Sequence, residues 1–137
     1  MRKILWAGMA AMGIAVSSMF APVMVQAQQV SAVAIDDDDI GGVVRGPKGP
    51  EAGVWVIAET RDLPVRYIKA VVTDDRGRFL IPDLPKANYA VWARGYGLVD
   101  GPKTTTAPGK LVNLTATVAP NDAAAAQYYP AIYWFSM

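Results

Sequence analysis

The sequence contains neither cysteine nor histidine, and the two absences exclude several classes of function. Without cysteine, this chain has no disulfides, no thiolate nucleophile and no cysteine to which a lipid or c-type haem could be attached. Without histidine, it lacks the most common general base and the most common metal ligand of proteins. We therefore predict a protein without catalysis, without a bound metal and without a cofactor.

Charge is also nearly balanced, with 13 Lys and Arg residues against 12 Asp and Glu residues. Nucleic acids and anionic membranes attract chains that carry a clear positive excess. The sequence therefore predicts no nucleic-acid partner and no electrostatic binding to a membrane. Another protein, a neighbouring domain and a carbohydrate remain as partner classes.

The first 27 residues have the three parts of an export signal. Arg2 and Lys3 give a positive start, residues 4–16 form an uncharged apolar run, and Val25-Gln26-Ala27 supplies small residues for cleavage. A membrane anchor is the alternative, since residues 4–25 carry no charge and are long enough to span a bilayer. Ser17, Ser18 and Pro22 interrupt this apolar stretch, which favours cleavage after Ala27 over a membrane anchor. We therefore predict a secreted or periplasmic protein.

Removing 27 of the 137 residues leaves 110, which suits a single domain, with 11 basic against 12 acidic residues. Residues 28–39 are predicted to be an acidic linker, or to lead into the first strand, because the four aspartates Asp36 to Asp39 repel one another. A calcium site is the alternative interpretation of this run, because carboxylates are hard oxygen ligands. Calcium loops, however, space their carboxylates with glycine and alternate positions, and this run does not. The domain is predicted to start near Ile40.

The stretch from Thr73 to Gly97 carries the clearest pattern in the chain. Asp74 to Gly77 has the composition of a tight turn, because aspartate bonds local backbone and glycine tolerates positive φ. Residues 78–81 precede Pro82, and residues 89–94 follow Pro85. In both segments the side chains alternate with the two-residue period that is typical of strands. We therefore predict two strands joined by a proline-bounded turn.

The rest of the domain, residues 40–119, follows the same short-strand pattern. Further strands are predicted at 40–45, 53–60, 66–73 and 111–118, with a solvated loop at Thr104 to Thr106. About seven short strands and no long helix indicate an all-β sandwich. In the remainder, 120–137, Asn121 or Asp122 is predicted to cap a short helix ahead of an aromatic tail. Either that tail packs across the sandwich, or the protein continues beyond Met137.

A family resemblance rests on these residues. The pattern Thr-Asp-x-x-Gly-x-Phe-x-Ile-x-x-Leu from Thr73, followed by Tyr89-x-Val and Gly95-Tyr96, resembles the carboxypeptidase regulatory-like domain. The resemblance covers roughly residues 40–118, and it departs at Asn88, where the family usually has glycine. It implies a Greek-key, transthyretin-like sandwich of the carbohydrate-binding-like fold group. It also implies an accessory module without catalysis.

Strand phase supplies the candidate site. If Tyr89 and its alternate neighbours face the core, as the resemblance implies, Trp92 and Arg94 face outward, and Trp55 does so on its own strand. With Tyr96, these residues make a candidate ligand or partner surface. Outward tryptophans anchor protein interfaces and stack on sugar rings. A third interpretation is that the molecule's own loops or its tail cover them.

The acidic residues give little support to an enzyme. Paired carboxylates are the machinery of glycoside hydrolysis, but most aspartates here lie in turn contexts. The sequence therefore predicts a secreted, non-catalytic module for structural positioning or protein docking at the cell envelope. Two alternatives stay open: a carbohydrate-binding module that uses Trp55 and Trp92, and the N-terminal accessory domain of a larger periplasmic enzyme or electron-transfer protein.

Overall fold

A computed structural model describes residues 32–128. The predicted export signal and all but the first residues of the predicted C-terminal tail lie outside these described residues. Within them the chain is almost entirely β-structure, and the all-β sandwich prediction is confirmed. The strands are β1 Ile40–Gly46, β2 Gly49–Pro50, β3 Trp55–Thr60, β4 Tyr67–Val72, β5 Arg78–Ile81, β6 Tyr89–Arg94, β7 Leu98–Val99, β8 Thr104–Thr106, β9 Lys110–Leu111, β10 Leu114–Thr115 and β11 Thr117–Val118, and α1 is Asp122–Ala126.

Two sheets form the layers of the sandwich. In the first sheet, β1 pairs antiparallel with β2 and β5 and parallel with β9 and β10. The second sheet is antiparallel throughout, in the order β4-β3-β6-β8. A separate antiparallel pair joins β7 to β11.

The core lies between the inner faces of the two sheets. Tyr89 is fully buried there, and its hydroxyl donates to the Pro85 carbonyl at 2.8 Å. Burial raises the pKa of Tyr89 above its ordinary value, so the phenol stays neutral. The core around it consists of Phe79 and of the aliphatic side chains that point inward from the strands: Ile40, Val44, Val56, Ala58, Ile81, Val91, Ala93 and Leu114.

The turn between β4 and β5 forms as its sequence predicts. The amide of Gly77 donates to the Asp74 carbonyl at 2.8 Å, and Gly77 has a φ of 71°. The Asp74 carboxylate accepts the amides of Arg76 and Arg78 and also binds the Arg78 guanidinium. These bonds, those from Arg78 first, lower the pKa of Asp74 to about 2.

The acidic run is packed onto the sandwich, which corrects the linker prediction for its second half. Asp39 is buried, and its carboxylate accepts the amides of Asp36 and Asp83. The Asp38 carbonyl accepts the amide of Leu84 at 2.8 Å. Local backbone bonds therefore hold this run as a turn against the loop that joins β5 to β6.

The region from residue 104 to residue 118 differs from the prediction in two ways. Thr104–Thr106 is strand β8 at the edge of the second sheet rather than a solvated loop. The single strand predicted at 111–118 is divided into three two-residue strands. The chain changes pairing partner here, from β1 to β7, and the Val112 carbonyl lies so close to Gly42 that no Cβ would fit there. Alternation alone does not reveal such a change of partner.

The predicted short helix is present as α1. Asn121 is its N-cap, and its side-chain oxygen accepts the Ala124 amide at 2.9 Å. Ala125 is buried where the helix packs against β7. The last described residues therefore lie beside the strand that follows β6.

Candidate functional site: the outer face of the second sheet

The two central strands of the second sheet divide their side chains between the core and the opposite, outer face. On β3, Val56 and Ala58 join the core, so Trp55, Ile57 and Glu59 face outward. On β6, the core takes Val91 and Ala93, and Ala90, Trp92 and Arg94 face outward. The register places Trp55 opposite Arg94 and Ile57 opposite Trp92.

Strand β4 extends this face to the edge of the sheet. Its outward residues Ile68, Ala70 and Val72 lie opposite Glu59, Ile57 and Trp55 of β3. Ile68 is 48% exposed and Val72 is 56% exposed. Lys69, on the other side of the strand, donates to the Pro82 carbonyl, so β4 adds no charge to the outer face. We call the following set the outer apolar face: Trp55, Ile57, Ile68, Ala70, Val72 and Trp92.

Both predicted tryptophans lie on this face, but they are not equally accessible. Trp92 is only 5% exposed, whereas Trp55 is half-buried. The Lys103 ammonium lies 4.0 Å from the centroid of the Trp92 ring. An open pair of rings, as a stacking platform requires, is therefore not present, and the expectation that Trp92 is an accessible outward ring is corrected.

The indole nitrogen of Trp92 has an unusual environment. Its Nε1–H is buried and has no hydrogen-bond partner. A buried donor without a partner costs roughly 1–3 kcal/mol. The packing of the Trp92 ring therefore comes with the desolvation cost of its unpaired N–H group. Lys103 covers the ring as a cation–π partner.

Arg94 and Tyr96 lie at one end of the face. The Arg94 guanidinium binds the Asp100 carboxylate through two nitrogens, at 2.6 and 2.8 Å. This hydrogen bonding, more than any other influence, raises the pKa of Arg94. Tyr96, in the turn between β6 and β7, is 67% exposed. The structure thus brings Trp55, Trp92 and Arg94 together on adjacent strands and leaves Tyr96 at the margin.

A polar cleft lies at the opposite end of the face. Its volume is about 380 Å³, and its lining includes Glu59, Asp62, Asn88, Lys103 and Thr105. Glu59 binds Arg66 at 2.7 Å, a bond that is the first cause of its lowered pKa, and Asp62 accepts the Asn88 amide. Both carboxylates are therefore engaged in local bonds.

The sequence interpretation missed Lys103 and Asn88 as parts of this surface. Both lie outside the predicted strands, in segments with turn composition, and only the pairing of β8 with β6 brings Lys103 over Trp92. No local signal in the sequence indicates that long-range placement.

The described residues offer little for a metal or for a membrane span. Within 32–128, no three or more Asp and Glu side chains come together in a group that could hold a metal ion. In the same range, no helix has the length and apolarity needed to cross a bilayer. The chain matches no protein-family model, and a search of curated proteins likewise gives no match.

Proposed function

We propose that the protein is a non-catalytic β-sandwich module that docks a protein partner through its outer apolar face. The observation that carries this proposal is the exposure of Ile68 and Val72, which lie on the same side of β4 with Ala70 between them. The solvent-facing side of an antiparallel sheet normally carries polar side chains. A contiguous apolar surface on a small protein is instead typical of an interaction site.

The composition of the face favours a protein over a sugar. Protein interfaces have aromatic and aliphatic centres with few charges, and a polar rim around them. The outer apolar face has Ile57 at its centre, between Ala70 and Trp92, with Arg94 and Asp100 paired at one rim and the polar cleft at the other. Because Arg94 and Asp100 neutralise each other, a partner would not have to supply a counter-charge there.

Carbohydrate binding is the second candidate, and the polar cleft is the observation that favours it. The cleft offers the Asn88 amide and the Thr105 hydroxyl close to the Lys103 that covers Trp92. Sugar stacking needs an open ring face, however, and Trp92 does not present one. Binding to a glycan array that Asn88→Ala abolishes would favour this function over docking.

The carboxylates support a role without catalysis. General-acid catalysis of glycoside cleavage requires a carboxyl group with a raised pKa. Glu59 and Asp74 have lowered pKa values because each is bonded to an arginine. We expect purified protein to release no product from a panel of polysaccharides, and reproducible release would overturn this part of the proposal.

Export to the periplasm or beyond, and the likeness to the carboxypeptidase regulatory-like domain, belong to the same proposal. The tripartite pattern of residues 1–27 supports export, and the turn and strands of residues 73–97 support the family likeness. Removal of the signal leaves a protein of about 12 kDa. Intact-mass measurement on the natural protein tests this; a much larger mass would favour an accessory domain of a longer protein.

The docking surface is tested by placing charges on it. We expect the double variant Ile68→Asp/Val72→Asp to keep its fold, since substitutions at exposed sites usually change stability by less than about 0.5 kcal/mol. Native electrophoresis of extracts from the source organism should show the wild-type protein in a larger complex and the variant as free chain.

A matched control comes from the rest of the molecule. Leu111 and Val118 are each 55% exposed and lie outside the second sheet. Leu111→Asp/Val118→Asp should leave the complex intact. A wild-type protein that itself migrates as free chain, or a control variant that disrupts the complex equally, would contradict docking through the outer apolar face.

A further inference from the structure

We propose that two copies of the chain pair antiparallel along the edge of β4 and so join their second sheets into one continuous sheet. Pairing of this kind uses the backbone edge of β4 and leaves the side chains of the outer apolar face on the surface. It therefore goes beyond the docking function and does not require a partner protein.

The backbone of β4 presents unpaired polar groups at this edge. Strand β4 is the last strand of the second sheet, and among the described residues it pairs only with β3. Directly after β4, the Thr73 amide donates to the Val54 carbonyl at 2.9 Å. Because bonding alternates along an antiparallel ladder, the backbone groups of Ile68, Ala70 and Val72 point away from β3. In the described part of the chain, no residue bonds to the amides or carbonyls of these three.

Two other edge strands are protected, by contrast. Strand β8, at the opposite edge of the same sheet, has three residues and lies between Pro102 and Pro108. On β5, the Arg78 amide donates to the Asp74 carboxylate and the Arg78 carbonyl accepts the Asp74 amide, both at 2.9 Å. Short strands, prolines and covered edges prevent pairing with another chain. Strand β4 has six residues, contains no proline and pairs with β3 without a bulge, so its edge can accept a further strand.

Strand β4 is complementary to a second copy of itself. In an antiparallel pair centred on Ala70, this residue lies opposite its own copy, and Ile68 lies opposite Val72 of the second copy. Every outward amide and carbonyl of these residues then has a partner in the other copy. The side chains of Ile68 and Val72 stay on the same side of the joined sheet, so the two outer apolar faces become continuous. The result is a symmetric dimer, in which both copies use the same surface.

Neighbouring registers fit less well. Centring the pair one residue earlier places Lys69 opposite Lys69 of the second copy, and like charges directly opposite each other destabilise a ladder. Centring it one residue later places Ile68 opposite Asp74, whose amide is already bonded within its own turn. The register centred on Ala70 avoids both conflicts.

Charge complementarity supports the same register. Arg66, directly before β4, lies opposite Asp74 of the second copy, and both residues are exposed. Opposite charges across a ladder stabilise the pair. Within each chain Arg66 binds Glu59 and Asp74 binds Arg78, so the contact between copies brings two existing ion pairs together.

Single cysteines in the purified chain test the pairing and its register. Because the sequence has no cysteine, Ala70→Cys introduces one thiol, which lies opposite its own copy in the proposed dimer. The Cα atoms of such a pair are about 5.5 Å apart, a separation that a disulfide can span. We expect mild oxidation to convert most of this variant to a disulfide-linked dimer.

The neighbouring outward positions provide matched controls. Ile68→Cys and Val72→Cys each lie four residues from their own copy, about 13 Å, and should give no linked dimer when oxidised alone. A mixture of these two variants should give the mixed dimer. Leu80→Cys, at an exposed position on β5, should give none. Equal yields from Ala70→Cys and Leu80→Cys would show random collision and would overturn the pairing.

A proline variant tests the dimer without an added cross-link. The Ala70 amide makes no bond to β3, so Ala70→Pro leaves that ladder intact and blocks the approach of another strand. Sedimentation should give twice the single-chain mass for the wild type and the single-chain mass for Ala70→Pro, with circular dichroism showing that the fold is retained. A wild type with the single-chain mass at every concentration would contradict the proposal.

Hydrogen exchange identifies a competing occupant of the edge. In the dimer, the amides of Ile68, Ala70 and Val72 are protected from exchange, and dilution removes this protection. Protection that is independent of concentration would assign the edge to another segment of the same chain and would overturn the pairing. That result would leave docking through the side chains of the outer apolar face open.

Discussion

The outer faces of the two sheets differ in how they are covered. On the first sheet, Ile35 approaches Gly41 so closely that a Cβ would not fit, and the acidic turn at Asp38 and Asp39 is bonded to the loop that joins β5 to β6. On the second sheet, Ile68 and Val72 are about half exposed. Part of the first outer face is therefore covered by the chain itself, whereas the β4 edge of the second outer face is open to water.

The comparison shows that exposure, rather than hydrophobicity, distinguishes the two faces. A glycine at position 41 lets a preceding segment of the chain lie against the first sheet. The edge strand β4 of the second sheet instead carries the exposed side chains of Ile68 and Val72 on its outward side. Surfaces of that kind are stable in water when another segment or another molecule covers them. This difference is the basis of the proposed docking function.

The largest expected effect lies at the buried centre of the second face. Trp92→Ala should destabilise the protein by about 3–5 kcal/mol, because a large buried side chain is removed. Trp55→Ala, at a half-buried site, should cost no more than about half of that. Chemical denaturation checks both values, and equal losses would show that centre and margin do not differ.

Trp92→Phe refines this comparison. It keeps an aromatic ring and removes the indole donor that has no partner. Loss of that donor recovers part of its desolvation cost of roughly 1–3 kcal/mol. We expect a far smaller loss of stability than for Trp92→Ala, because the ring still fills most of the site; an equal loss would mean that the phenylalanine ring replaces none of the packing of the indole.

The next effect concerns the covered face of the first sheet. Gly41→Val should destabilise the protein by about 1–3 kcal/mol, because the new side chain displaces Ile35 or the strand itself. Ala70→Val adds bulk to an exposed position of the second sheet and should change stability by less than about 0.5 kcal/mol. Comparable losses in the two variants, measured by denaturation, would contradict the difference between the faces.

A smaller effect is expected from the cation that covers Trp92. Lys103→Met keeps most of the aliphatic stem and removes the ammonium group from the ring, which should cost about 0.5–1 kcal/mol. The chemical shift of the Trp92 indole proton should change as well. Lys86→Met, at an exposed site before β6, is the control; an unmoved indole signal in Lys103→Met would argue against the cation–π contact.

The smallest effect lies in the turn that joins the two sheets. The folded-state pKa of Asp74 is about 2, below its ordinary value of 3.8, so its bonds contribute stability above pH 3.8. That contribution is lost as the pH falls from 3.8 towards 2. Asp74→Asn should therefore flatten the acid limb of the stability–pH curve, whereas Asp75→Asn should not. Identical curves for the two variants would show that the Asp74 bonds add nothing.

Much of the fold could be predicted because its signals are local. The turn at Asp74 to Gly77 is fixed by side-chain and backbone bonds within five residues, and β6 has the predicted bounds of Tyr89 to Arg94. The helix cap at Asn121 is equally local. In each case the residues that determine the structure are neighbours in sequence.

The remaining features depend on contacts between distant segments. Thr104–Thr106 becomes a strand because β6 offers its edge, and the 111–118 region is divided because it pairs first with β1 and then with β7. Strand phase gives the outward direction of Trp92, but its burial depends on neighbours such as Lys103 that come from elsewhere in the chain. Alternation therefore predicts the face of a residue and not its exposure.

Site-specific photo-cross-linking tests the docking surface most directly. A photoreactive amino acid at position 72, on the exposed edge strand of the outer apolar face, is compared in intact source cells with one at position 118. The two sites are 56% and 55% exposed, so exposure alone cannot produce a difference. We predict a discrete cross-linked protein from position 72, which Ile68→Asp abolishes, and none from position 118. Equal cross-linking from both positions, or none from position 72, would contradict a docking role for this face.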